Sequence, residues 1–356
     1  MKGLVLSGGS GTRLRPFSYS MPKQLIPIAN KPVLEHVIDN IRNAGVTDIG
    51  VIVGQWADQI ADALGDGSRF GVRVTYLRQD HPRGLAHTVQ VARPFLGDDD
   101  FVMYLGDIML PDGVASFAAD FRAHRPAAQV VVHKVADPTS FGVVELDDDG
   151  CVRGLVEKPA QPRSDLAIAG VYFFTPDIHQ AVDAVPPSAR GELEITDAIQ
   201  WLLSNGFPVG ASEYTGYWKD TGRIEDVLAC NRRMLGKLTG AVAGDVGAGS
   251  ELVGQVVVEA GATIVRSRIE GPAIVGADTV IEDSHVGPNT SIGSGCVLRS
   301  TRLADSIVLA GASIVDVNGL HGSLIGRGAS IGRENRGGAG YRLVVGDHTR
   351  IELEAA

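Results

Sequence analysis

Three glycines within four positions, Gly8, Gly9 and Gly11, follow a short aliphatic run in Leu6-Ser-Gly-Gly-Ser-Gly-Thr-Arg-Leu-Arg-Pro. Such a run lets the backbone bend sharply and bring amide N–H groups against an anion, while Arg13 adds a charge that cannot be lost. A phosphate suits this chemistry, although a Gly-rich strand-to-helix turn is often only a turn. The two commoner phosphate loops are absent: no Gly-Lys-Ser/Thr closes a Walker A motif, and Gly-x-Gly-x-x-Gly spacing does not occur.

A scaffold must hold these residues. Through about residue 237 short β-branched runs alternate with amphipathic stretches, the sequence form of a parallel sheet covered by helices. The pattern predicts strands at Lys2–Leu6, Ile49–Val53, Val72–Leu77, Phe101–Leu105, Gln129–Lys134 and Val171–Phe174. It predicts helices at Leu34–Ala44, Trp56–Leu64 and Gly84–Ala92. In such an α/β domain a ligand is expected at the carboxyl ends of the strands.

After Lys237 the helical period disappears and aliphatic residues recur every five or six positions, through Ile264, Ile269, Val275, Ile281, Val286, Ile292, Val297 and Leu303, then Ile314, Leu320, Ile325 and Ile331. Units such as Val275-Gly-Ala-Asp-Thr-Val have the hexapeptide form, in which each aliphatic side chain points inward and three units close one coil. Roughly five coils fit between about 250 and 335. The step breaks around Gly311–Gly322, where a loop or shifted coil is expected. Arg333–Arg342 reads as a loop and Leu343–Leu353 as a capping strand. The division expected is therefore 1–237 and 238–356.

Length and composition agree with two ordinary globular domains: 356 residues, 44% hydrophobic and 21% charged. A formal charge of −10 argues against nucleic acid or an anionic membrane as partner. No apolar stretch approaches the roughly 18 residues of a membrane helix, and the N-terminus lacks a signal-peptide layout, so a cytoplasmic location is expected. Cys151, Cys230 and Cys296 are widely spaced, which speaks against a disulfide framework or a zinc site and predicts three buried thiols.

The glycine-rich opening gains meaning from Met21-Pro-Lys-Gln-Leu-Ile-Pro-Ile, whose Lys23 comes ten residues after Arg13. Together they resemble the signature of sugar-phosphate nucleotidylyltransferases, closest to glucose-1-phosphate thymidylyltransferases in their long form with a hexapeptide-repeat domain. Further segments fall in the order the family requires: Tyr104-Leu-Gly-Asp107, Phe141-Gly-Val-Val-Glu, Val156-Glu-Lys-Pro, Gly191-Glu-Leu-Glu-Ile-Thr-Asp and Trp218-Lys-Asp220-Thr-Gly. The resemblance implies a Rossmann-like nucleotidyltransferase domain with a mostly parallel sheet, then a left-handed parallel β-helix. It also implies transfer of a nucleotidyl group from dTTP to glucose 1-phosphate, giving dTDP-glucose for deoxysugar synthesis.

In that reaction both partners are anions, so the protein must neutralise charge and align the reacting groups. The resemblance gives Mg²⁺ to Asp107 and Asp220, and the triphosphate to Leu6, Gly8, Gly9, Ser10, Gly11, Thr12 and Arg13. It places Lys23 near the α-phosphate and Lys158 on the sugar phosphate. Gln24 and Gln79 would bond the pyrimidine, with Gly84 and Leu85 against its face. Gly142, Glu157, Val171 and Trp218 would line the sugar. The family's usual Asn after Gly-Asp107 is replaced by Ile108, and His87 beside the base pocket reads as structural.

UTP in place of dTTP stays open, since the two bases differ by one methyl group; adenylyl, guanylyl and cytidylyl transfer fit the Pro22-Lys-Gln-Leu motif less well. An acyltransferase activity of the β-helix would want a general-base His and a basic surface. His285, His321 and His348 are isolated, and no lysine follows Lys237. A sugar-nucleotide sensor would not need two aspartates and two lysines. The tail is expected to organise a homo-oligomer, and a fragment cut near Leu238 to keep transfer within about tenfold.

Overall fold

The structure, a computed structural model, describes residues 1–9 and 11–332. Ser10, the loop at Arg333–Arg342, His348 and the capping strand at Leu343–Leu353 lie outside the described residues. The chain packs as two compact units, Met1–Ser10 with Val33–Asp220, and Gly11–Pro32 with Thr221 onward.

The first unit is built on a nine-stranded sheet. Its strands are β1 (Lys2–Ser7), β2 (Asp48–Val53), β3 (Arg73–Arg78), β4 (Phe101–Leu105), β6 (Ala128–Lys134), β7 (Gly142–Leu146), β8 (Val152–Glu157), β9 (Leu166–Phe174) and β10 (Val209–Glu213), with a short β5 (Ile108–Met109) outside it. The order is β8-β7-β9-β4-β1-β2-β3, and β6 joins β9 to β10. Strands β4, β1, β2 and β3 run parallel, the Rossmann-like part, while β9 runs antiparallel to β4. The centre of β1 is buried throughout, as a parallel strand covered on both faces must be.

Helices α1 (Val33–Asn43), α2 (Ala57–Leu64) and α3 (Leu85–Leu96) make the crossovers of this part, and α4 (Ala115–His124) follows β5. In α1 the buried set Val33, Leu34, Val37, Ile38 and Ile41 is the apolar stripe that a helix lays on a sheet. The core under the other face joins Leu4, Ile52 and Met103 to Ala86 and Val89 of α3, to α5 (Ile178–Ala184) and to α6 (Ile195–Ser204). From β1 the chain winds outward to β3, then returns past β1 to β4. The strand order thus reverses between β1 and β4, and ligands of open α/β sheets bind at such a point.

The second unit holds Gly11–Pro32, helix α7 (Ile224–Leu235) and the coils. Three parallel sheets stack strand on strand, consistent with a left-handed β-helix. One face aligns Leu252, Ile269, Val286, Leu303 and Leu320, and another aligns Ile264, Ile281, Leu298, Ile314 and Ile331. The coils start at Ala241, earlier than the sequence pattern suggested.

One detail of the repeat differs from expectation. Leu298, not Val297, points inward, because Leu298 is in register with Ile281 and Ile314. Ser313–Val315 and Leu320–His321 keep their places in the ladders, so the break expected at Gly311–Gly322 is the loop alternative and not a shifted coil. The turn at 316–319 makes the step from Ile314 to Leu320 one residue longer than that from Leu298 to Leu303. One corner carries a hydroxyl ladder: Ser267 Oγ accepts from the Ser284 amide and Ser284 Oγ from the Thr301 amide, each one 17-residue coil away. Cys230 and Cys296 are buried, but Cys151 is exposed in the β7–β8 turn, its amide held by Asp147. Among the described residues no helix is long and apolar enough to cross a membrane.

Candidate active site

At the switch point β1 ends at Ser7 and is followed by Gly8 and Gly9, and the Gly106 amide donates to Leu6 O at 2.9 Å. This bond ties the end of β4 to β1, so Asp107 emerges beside the glycines. Asp107 is only 9% exposed. Its neighbour Ile108 opens β5, which pairs antiparallel with β11 (Lys219–Asp220), and Asp220 stands directly opposite Ile108. A two-residue ladder thereby brings two carboxylates from distant parts of the chain to adjacent register positions. Ile108 is buried against Gly170, where a Cβ would come within 2.8 Å of Ile108 Cγ1. The residue that departs from the family pattern has become a packing contact.

On the β2 and β3 side, Gln79 follows β3 and its amide donates to Val53 O. Gln79 Nε2 lies 2.9 Å from His87 Nδ1. An amide NH₂ can only donate, so this nitrogen of His87 accepts and the ring is neutral. Burial, reinforced by Arg83, pushes the His87 pKa down and favours that state. His87 therefore does more than pack, because it fixes the side chain expected to read the base.

Gly84 precedes α3 with φ 103°, and a Cβ there would stand 2.6 Å from Leu193 N and closer still to Leu193 O. Only glycine fits. Leu193 donates to Arg83 O at 2.7 Å and accepts from the Ala86 amide at 2.9 Å. Through these bonds the Gly84–Leu85 turn is fastened to Gly191-Glu-Leu-Glu, the segment leading into α6.

The sugar side is built on β7, β8 and α6. Gly142 pairs with Glu157 across the β7–β8 ladder, and a Cβ on it would stand 2.9 Å from Thr196 Oγ1 and 3.2 Å from Glu157 Oε2. Thr196 Oγ1 donates to Glu157 Oε2 at 2.7 Å, while Lys158 Nζ at 3.6 Å and Arg190 Nη1 at 3.4 Å approach Oε1. Glu194 and Asp197 nearby have pKa values raised by burial first, with the Glu157 charge adding to it. Trp218 Nε1 donates to Ala169 O at 3.0 Å, and its ring lies 5.3 Å from Phe141, edge on. Val171 is fully buried opposite Tyr104, so its side chain faces no ligand space.

Gly11, Thr12, Arg13, Lys23 and Gln24 lie in the second unit. Gly11 has φ 61° and packs against Ser18 and Lys23. The turns Thr12–Leu14 and Lys23–Leu25 follow, and Arg15 lies over the Tyr19 ring at 4.9 Å. Gln24 is 1% exposed, and its Oε1 has no hydrogen-bond partner among the described residues. A buried amide oxygen of this kind is ordinarily completed by a donor, from ordered water or from a bound molecule.

Residues 2–236 match the family described as nucleotidyl transferase. The chain belongs to this family. A glucose-1-phosphate thymidylyltransferase from Streptomyces griseus is 53% identical over 269 residues, 76% of each chain. A low-salt glycan biosynthesis nucleotidyltransferase, Agl11, from Haloferax volcanii is 48% identical over 236 residues, 66% of each. A Bacillus anthracis crystal structure, described as a glucose-1-phosphate thymidylyltransferase in complex with a sucrose, superposes with a TM-score of 0.63. That chain is 32% identical, and the match covers 68% of this chain and 97% of the other.

Nucleotidyl transferases generally use a divalent metal, and the donor set of this one fits a hard cation. Asp107 and Asp220 offer oxygen only, and among the described residues no group of three or more His, Cys, Asp or Glu could hold a metal alone. Two carboxylates with the balance supplied by substrate phosphates and water is the arrangement that suits Mg²⁺. Sequence reasoning missed Thr196 and Arg190 as partners of Glu157, and Ala169 as the anchor of Trp218. Thr196 lies within the Glu-Leu-Glu-Ile-Thr motif, which was the only available signal.

Proposed function

We propose that this nucleotidyl transferase joins dTTP and glucose 1-phosphate into dTDP-glucose and pyrophosphate, with Mg²⁺. The observation that carries the reading is the β5–β11 pairing, which sets Asp220 beside Asp107 at the sheet's switch point. The names of the relatives supply the substrates.

A phosphate oxygen of the sugar 1-phosphate attacks the α-phosphorus in line, the bond between that phosphorus and the bridging oxygen breaks, and pyrophosphate leaves with the electron pair. No covalent enzyme intermediate is required, so the residues act by binding and charge. Asp107 and Asp220 would hold Mg²⁺, which when bound would supply charge neutralisation at the phosphates. The amides of Gly8, Gly9 and Gly11 with Thr12 and Arg13 bind the triphosphate. Lys23 sits near the α-phosphate, and Lys158 holds the attacking phosphate. Glu157, fixed by Thr196, accepts hydrogen bonds from sugar hydroxyls, with Gly142 and Trp218 alongside. The Gln24 oxygen accepts the imide N–H of the pyrimidine, and Gln79, held by His87, bonds the same base.

Thymine and uracil present the same imide edge, so preference for dTTP over UTP rests on a methyl group worth about 1–3 kcal/mol. The test is pyrophosphate release from five nucleoside triphosphates against glucose-, galactose- and mannose-1-phosphate. The expected result is highest kcat/KM for dTTP with glucose 1-phosphate, UTP second within about 200-fold. A purine nucleotide as best substrate would sink the reading. Sizing the active species in the same buffer checks the homo-oligomer expected of the β-helix, and an active monomer would remove that part.

A further inference from the structure

The second unit contains a fully buried amide at the meeting of three segments. Asn231, on α7, is 0% exposed. Its Oδ1 accepts from the Ala29 amide at 2.8 Å and from Ser291 Oγ at 2.7 Å, and its Nδ2 donates to Asn289 O at 3.2 Å. Next to it, Asn30 Nδ2 donates to Ile292 O at 2.7 Å. Ala29 and Asn30 are the two residues between the paired Pro27–Ile28 and Lys31–Pro32, with φ 50° and 61°.

Two consecutive left-handed residues are what such a tight hairpin needs, and sequences normally meet the need with Asn-Gly. An alanine is strained in this conformation and brings no side-chain hydrogen bond to offset the strain. Here the tip is held from outside, by the bonds to α7 and to the coil at Asn289–Ile292. Slack between this anchor and the turn at Lys23–Leu25 is small, because Leu25, Ile26 and Ile28 are all buried.

We propose that Asn231 is a positioning residue for nucleotidyl transfer: it clamps the Gly11–Pro32 segment, which carries Arg13 and Lys23, onto the β-helix at Asn289–Ile292. This rests on the assignment of Arg13 and Lys23 to the triphosphate. The β-helix then contributes to catalysis by fixing a substrate-binding segment. It follows that a fragment ending near Leu238 loses Asn289, Ser291 and Ile292, the partners of the clamp, and falls well below the tenfold margin that the sequence suggests.

The test compares full-length wild type, Asn231→Ala and Asn30→Gly; the second change suits the left-handed backbone and removes only the bond to Ile292. Amide hydrogen exchange across residues 11–32 and steady-state kinetics with each substrate are measured together. Asn231→Ala is expected to speed exchange in that segment at least tenfold. It should lower kcat/KM for the nucleotide by at least about tenfold while KM for the sugar phosphate stays within about twofold. Asn30→Gly should move both readouts in the same direction by less. Adding Ala29→Gly to Asn231→Ala should restore part of the protection, since glycine tolerates the turn unaided.

Unchanged exchange in both variants, or equal loss for both substrates, overturns the proposal. Should Asn231→Ala prove insoluble, Asn30→Gly decides by the same two measurements. If the wild-type chain turns over no triphosphate, the functional reading has failed. Exchange of 11–32 with and without added dTTP then decides the clamp: no protection by dTTP, or the same protection in the variants, overturns it.

Discussion

Asp107→Asn and Asp220→Asn are each expected to lower kcat by at least ~10²-fold while leaving the fold intact. The two residues arrive from the turn after β4 and from β11, and the short ladder sets Asp220 opposite Ile108, the residue that follows Asp107. Asparagine preserves shape and one acceptor oxygen but removes the charge that binds a hard cation. The paired substitution should therefore separate metal binding from packing. With so few protein ligands, Mg²⁺ should bind the free protein weakly and tighten when nucleotide is present, which calorimetry in both orders can check. Full activity in excess EDTA, or variants with wild-type kcat, would remove the metal from the reaction. A drop in melting temperature of many degrees would instead show that the carboxylates are structural.

How much of this could be read from residues alone differs from element to element. The fold class was legible because both halves announce themselves by period, alternating β and α patterns before Lys237 and a step near six after it. The inward side chain at one coil was misread as Val297 because Val297 and Leu298 are adjacent and both aliphatic, and only stacking on Ile281 and Ile314 decides between them. Cys151 was misjudged because a thiol's general preference for burial says nothing about a particular turn. Asp107 and Asp220 were legible as motif residues, whereas the ladder that sets Asp220 opposite the residue after Asp107 has two residues per strand and no periodic signature. The role of Asn231 was invisible for a different reason. On an amphipathic helix an asparagine reads as part of the polar face, and its burial depends on segments far away in sequence.

The two lysines are expected to divide the substrates between them. Lys158 follows β8 with φ 41°, an uncommon conformation for a residue with a side chain and more so before Pro159. Its amide donates to Phe141 O at 3.0 Å, which holds the turn, and Nζ stays 3.6 Å from Glu157 Oε1 with its side chain 41% exposed. A lysine kept at a position that glycine would occupy without strain points to use of the ammonium group. Lys158→Ala should lower kcat/KM for glucose 1-phosphate by about 10²- to 10³-fold, the loss of one charge-assisted phosphate contact, with KM for dTTP little changed. Lys158→Gly relieves the backbone, and the greater freedom of the unfolded chain offsets that gain, so stability should stay within about 1 kcal/mol of wild type. Its kinetic loss should equal that of alanine. Lys23→Ala should show the opposite pattern, losing nucleotide turnover with glucose 1-phosphate binding retained. A glycine variant that keeps activity would mean that position 158 matters only for the shape of the turn, and identical substrate profiles for the two alanine variants would mean that the roles are not divided at all.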